Sequence, residues 1–144
     1  MSGTIPSLEV TSRVLVRAEP DRLWQTAMDW PRQDDWMLAT RVRGGQGVGA
    51  KVVARTGIGP IGFTDTMVIT QWHPPHRCVV RHTGRLVRGT GVFEVARRGS
   101  MSEFAWTEQL QLPWPASGRL GQWLIARPAR WLMGVSLRRF TRLV

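Results

Sequence analysis

A single cysteine, no tyrosine, one lysine and no long apolar run are what this 144-residue chain has least of. With only Cys78, an internal disulfide framework and a cysteine-built zinc site are both excluded. No stretch approaches the ~18 apolar residues that a transmembrane helix needs. The opening MSGTIPSLEV has neither the basic nor the apolar region of a signal peptide, so the expected location is cytoplasmic. Low-complexity tracts and internal repeats are missing as well, which argues against a solenoid or a disordered tail. Acids are scarce, ten against twenty basic residues, and the chain carries a net charge of +10.

What is present fits a folded domain. Hydrophobic residues make up 42% of the chain, eight of them tryptophan, and the length suits one domain spanning 1–144. The charge is unevenly placed. From Ser117 onward there are six arginines (Arg119, Arg127, Arg130, Arg138, Arg139 and Arg142) and no acid. Such a segment reads first as a solvated helix face. No nucleic-acid motif accompanies it, and aromatics do not interleave with basic residues on a polar sheet, so no specific nucleic-acid partner is expected. A weak contact with anionic membrane through this C-terminal helix is what the charge allows.

Residues 8–18 alternate as a strand with Val10, Val14 and Val16 on one face. In EPDRLWQTAMD, Pro20 suits a first helical position, and Leu23, Trp24, Ala27 and Met28 make a short apolar stripe. A second short helix over PRQDDWML presents Trp36. From Thr40 to Leu112 the period is two, punctuated by GGQGVG, GIGPIG, HPPH, TGRLVRG and RRGS, giving about six strands in an antiparallel meander. LPWPASG ends the last strand, and 119–143 reads as a long helix with Leu120, Leu124, Trp131 and Val135 on one arc, bent at Pro128. The expected order is β-α-α-β6-α, an α+β domain.

The strand EFAWTEQLQL sets Glu108 in a row with Phe104, Trp106, Leu110 and Leu112. A carboxylate alone on a core face costs several kcal/mol, on the order of 2–7 for an unpaired polar group and more for a charge. Two further rows repeat the pattern: Phe63, Asp65, Met67 and Ile69, then Cys78, Val80 and His82. The reading is a partly hydrated cavity between a curved sheet and the long helix, with Asp65, His82 and Glu108 at its polar end.

Several sharper readings compete with plainer ones. GIGPIG matches a phosphate-binding fingerprint, but a strand follows it and Pro60 sits inside, so it is a hairpin turn. HPPH is a turn lacking a third metal ligand, and no metal or cofactor is expected. His82 is either a satisfied core histidine or an acid/base. Asp65 and Glu108 are either a catalytic pair or structural partners of arginines such as Arg55 and Arg88. Cys78 packs as a small hydrophobe. Trp24, Trp30 and Trp36 on the two short helices would cover the cavity mouth, with Trp106 entering from the sheet and Trp123 or Trp131 from the long helix.

The order of elements resembles the helix-grip fold of the START/Bet v 1-like superfamily. More narrowly it is similar to the bacterial polyketide cyclase/dehydrase and lipid-transport (SRPBCC) proteins. The residues carrying the resemblance are VLVRAEPDRLWQTAMDWPRQDDWM (14–37), GVGAKVVARTGIGPIGFTDTMVITQWHPPHRCVVRHTG (47–84), RGTGVFEV (88–95) and WTEQLQLP (106–113). It implies a curved sheet of about seven strands around the C-terminal helix, and a pocket for a lipid, polyketide, isoprenoid or similar molecule. The expected lining is Trp24, Met28, Trp36, Phe63, Asp65, Met67, Val80, His82, Phe93, Trp106, Glu108, Leu124 and Trp131. The family holds both carriers and enzymes. A carrier or sequestering protein is the first expectation here; a cofactor-independent cyclase or dehydratase using Asp65, His82 or Glu108 is the second.

Overall fold

Residues 7–112 and 118–144 are described by a computed structural model. Strand β1 (Ser7–Val16) is followed by helix α1 (Pro20–Met28), a single 3-10 turn (Trp30–Arg32) and the short helix α2 (Gln33–Trp36). Then come β2 (Thr40–Gly44), β3 (Lys51–Ile58), β4 (Ile61–His73), β5 (Arg77–Thr83), β6 (Arg88–Arg98) and β7 (Met101–Gln111), and finally helix α3 (Arg119–Phe140). The strands form one antiparallel sheet in the order β1-β7-β6-β5-β4-β3-β2. This is the β-α-α-β6-α order that the sequence pattern predicts and the helix-grip α+β arrangement that the resemblance implies. The stretch LPWPASG lies mostly outside the described residues.

Local chemistry explains the meander. Gly59, at φ +58°, makes the β3–β4 turn, so GIGPIG is a hairpin connection and not an anion cradle. HPPH likewise turns β4 into β5. The β4–β5 register shifts between Ile69 and Gln71, a bulge of the kind that bends and twists a strand. Only β1 pairs far along the chain, with Val10 opposite Glu108 and Val16 opposite Ser102.

Every strand turns one row of side chains to the concave face. Leu8, Val10, Val42, Val52, Ile69, Val80, Phe93 and Phe104 are buried there. Against them stand Trp36 from α2 and Phe140 from α3, with ring centroids 5.9 and 4.7 Å from Phe104 and 5.2 Å from each other. Offset and edge-on aromatic pairs of this kind add ~0.5–1.5 kcal/mol beyond their buried area.

The inward face of α3 is not the arc that periodicity suggests. Ala126, Met133, Ser136, Leu137 and Phe140 are buried, while Leu120, Leu124 and Trp131 lie in solvent. This helix is apolar on two sides, so spacing alone could not choose between them. Tertiary contacts decide: the Ser136 hydroxyl accepts from the Leu38 backbone N–H at 3.0 Å and donates to the Leu132 carbonyl at 2.7 Å. The helix runs without interruption through Pro128.

Candidate functional site

Between sheet and helix lies a cavity of about 240 Å³. Val42, Val52, Ala54, Val80, Phe93 and Trp106 form its wall from the sheet, and Ala129, Leu132 and Met133 close it from α3. Apolar cavities of ~150 Å³ stay dry and take up benzene, so this one admits a larger apolar group. Thr56, Phe63, Val87 and Leu110 are lining residues that keep some exposure, as are Asp65, Met67, Glu108, Ala129 and Leu132. The first four belong to the end of the sheet that carries the β3–β4 and β5–β6 turns, and we take that end as the mouth.

One polar cluster interrupts this wall. His82 on β5 is almost completely buried, and its two ring nitrogens are both engaged: Nδ1 lies 2.9 Å from Asp65 Oδ1 on β4, and Nε2 lies 2.8 Å from Glu108 Oε2 on β7. The other Glu108 oxygen, Oε1, accepts from the Trp106 indole N–H at 2.8 Å. Burial by itself would lower the imidazole pKa. The hydrogen bonds and charges of the two carboxylates outweigh that and push it up to about 10. At neutral pH His82 is therefore an imidazolium that donates both N–H groups. Asp65 Oδ2 is the carboxylate oxygen of the cluster with no hydrogen-bond partner among the described residues.

The sheet register shows why the cluster can form. Strand β6 lies between β5 and β7, and its inward positions beside the cluster are glycines: Gly89 opposite His82 and Leu110, Gly91 opposite Val80 and Glu108. A Cβ on Gly91 would lie 3.0 Å from Val80 Cγ2 and 3.1 Å from Glu108 Oε1. Gly89 has φ +122°, and a Cβ there would meet the Gln109 carbonyl oxygen. The bond from His82 to Glu108 thus passes over a strand emptied of side chains. The motif RGTGVF held that signal, two glycines at strand spacing, but its meaning depends on which strands flank it.

Of the residues expected in the cavity, Phe63, Asp65, Met67, Val80, His82, Phe93, Trp106 and Glu108 line it. Five do not. Trp24 packs edge-on against Trp72, with ring centroids 5.1 Å apart, and Met28 is buried beside it in the core. Trp36 is consumed by the aromatic cluster with Phe104 and Phe140. Leu124 and Trp131 are 55% and 63% exposed, on the outer face of α3. Nor do the three helix tryptophans cover the mouth. Trp30 closes the opposite end, lining the cavity while its indole N–H donates to the Gly45 carbonyl at 2.7 Å.

The partners of the acids also differ from one expectation. Asp65 and Glu108 pair with His82, not with Arg55 or Arg88, whose side chains are exposed. Sequence reasoning missed Gln33, Met37 and Thr40 at the cavity edge: Met37 lies in the loop from α2 to β2, and Gln33 and Thr40 open elements too short to show a period. Cys78 is fully buried, and burial pushes its thiol up to about 12, so it stays protonated and unreactive. No group of three His, Cys, Asp or Glu among the described residues is arranged to hold a metal ion.

Comparison with protein-family models gives no match, and no curated protein sequence matches significantly. Solved structures do. The protein TTHA0849 of Thermus thermophilus is similar with a TM-score of 0.78 at 14% identity, over 94% of this chain and 95% of that one. One half of the di-domain ARO/CYC StfQ from the steffimycin biosynthetic pathway gives 0.76 at 12% identity, over 95% of this chain and 50% of that chain. The Aha1 dimer from Colwellia psychrerythraea gives 0.60 at 14%, over 88% and 91%. At such identities the likeness establishes the helix-grip fold.

Proposed function

We propose that this protein is a carrier or sequestering protein of the SRPBCC type, binding one hydrophobic small molecule between the sheet and α3. The ligand is lipid-, polyketide- or isoprenoid-like. The observation that carries this reading is the apolar cavity with one buried ionic cluster on its wall. Two carboxylates about one imidazolium leave a net negative charge, and Asp65 Oδ2 is left to accept a bond. A ligand with an apolar body and a hydroxyl or other donor at one end suits that wall.

A cyclase or dehydratase is the second reading, favoured by acid/base groups in an apolar cavity and by the likeness to StfQ. The geometry favours the carrier, because both nitrogens of His82 are held by carboxylates and neither is free for substrate. The test is titration with the neutral dye N-phenyl-1-naphthylamine, followed by native mass spectrometry of protein purified from its own host. One saturable site is expected. Val80→Phe or Ala54→Leu, which fill the cavity, should weaken dye binding by about tenfold or more while circular dichroism stays native. Dye binding only to unfolded or aggregated protein would sink the cavity reading. A retained molecule that the protein converts, and that Asp65→Asn or Glu108→Gln leaves intact, would make it an enzyme.

A further inference from the structure

The outer surface around the cavity mouth carries large apolar side chains that stay exposed among the described residues. Ile58 and Ile61, at the β3–β4 turn, are 81% and 80% exposed, and Leu86, in the β5–β6 loop, is 77% exposed. Leu120, Trp123 and Leu124, in the first turns of α3, are all more than half exposed. The antiparallel register puts these segments at one end of the molecule. Strand β3 ends and β4 begins there, β5 ends opposite Arg88, and β7 finishes at Gln111. Helix α3 starts after β7 and ends with Phe140 packed on Phe104, back along that strand, so its first turns project at the mouth end.

We propose that this rim docks on an anionic lipid bilayer. Charge is the first reason. Segments 55–63, 84–90 and 118–144 contain no Asp or Glu. Arg85 and Arg88 flank Leu86, and Arg119 and Arg127 flank the Leu120–Leu124 turn; all four are exposed and have no carboxylate partner among the described residues. The Arg127 guanidinium lies 5.0 Å from the centre of the Trp123 ring, an amphipathic pair suited to the headgroup layer. Beside Ile58, Arg55 and Arg139 line a surface depression whose one acid, Asp34, is already paired with Arg43. Apolar tips interleaved with unpaired arginines are what an interfacial surface needs.

Two other occupants fit less well. A second copy meeting this rim across a two-fold axis would set arginines against arginines. Nucleic acid would satisfy the arginines, but it offers nothing to the five exposed isoleucine and leucine tips, Ile58, Ile61, Leu86, Leu120 and Leu124. Docking does not depend on what the cavity holds, although it would open the mouth toward the bilayer.

The experiment is flotation of the full chain, without added ligand, on vesicles of phosphatidylcholine alone or of equal parts phosphatidylcholine and phosphatidylglycerol. Binding to the anionic vesicles that falls with salt is expected, with little on the neutral ones. The double variants I58S/I61S and W123S/L124S, and separately R85Q/R88Q, should each lower partitioning by about tenfold or more. R97Q/R98Q, where β6 ends at the opposite end of the sheet, should change it less than about twofold. N-phenyl-1-naphthylamine titration of the same variants reads the cavity separately. Absence of vesicle binding at low salt, equal loss in R97Q/R98Q, or capture of the rim by an oligonucleotide or by dimerisation in place of vesicles would each overturn the proposal.

Discussion

His82 is where a single residue has the largest electrostatic leverage. Its folded pKa of about 10 stands above the ordinary 6.5, so the folded state holds the proton more tightly. The stabilisation is fully present below about pH 6.5 and is lost as pH rises through about 10. Denaturant titrations should therefore show stability falling from pH 7 to pH 9, and His82→Gln should flatten that limb. Cys78 contributes the same sign only above its ordinary value of 9.0, so a Cys78→Ala control leaves the pH 7–9 limb intact. A wild-type curve flat across that range would show that the carboxylates do not hold the imidazolium. Gly91→Val tests the same cluster from the strand between: it should displace Glu108 and cost ~1–3 kcal/mol in urea melts. Glu108 was legible as an anomaly, because a carboxylate in the row Phe104-Trp106-Leu110 needs a reason. Its partner was not legible, since His82 comes from a strand two places away, and the glycines of β6 acquire a role only once the sheet order is known.

At the scale of elements, the strands were readable and the long helix only half so. A strand has two faces, and one polar-apolar alternation names the inner one, as in β1, where Leu8, Val10 and Val16 face in. Helix α3 mixes Leu120, Leu124 and Trp131 on one side with Met133, Leu137 and Phe140 on another. Which side faces in is settled by Ser136 bonding Leu38 and by Phe140 meeting Phe104, contacts between segments far apart in the chain. Truncations separate the faces. Phe140→Ala should cost ~3–5 kcal/mol and Leu137→Ala ~2–5 kcal/mol, whereas Leu124→Ala should stay within about 0.5 kcal/mol. Chemical denaturation of the three variants checks this, and a large loss for Leu124→Ala would reverse the orientation of the helix.

For the molecule as a whole, the fold and the cavity make one structural trade. The far end of the half-barrel is filled by aromatic rings from α1, α2, α3 and the sheet, while the mouth end keeps about 240 Å³ empty. Wall atoms around an empty volume forgo dispersion contacts that a filled core would have, so the unliganded protein is less stable than its sheet could support. An occupant restores those contacts only in the folded state, and mass action then couples binding to stability. At a hundredfold excess over Kd the gain is ~2.7 kcal/mol, which for a chain of this size raises the thermal midpoint by roughly 5–10 °C. Scanning calorimetry with increasing N-phenyl-1-naphthylamine should show this rise, logarithmic in free dye. Val80→Phe should show almost none, because its side chain already occupies the space. Equal shifts in both proteins would place the dye on the outer surface, and a downward shift would mean that it binds the unfolded chain.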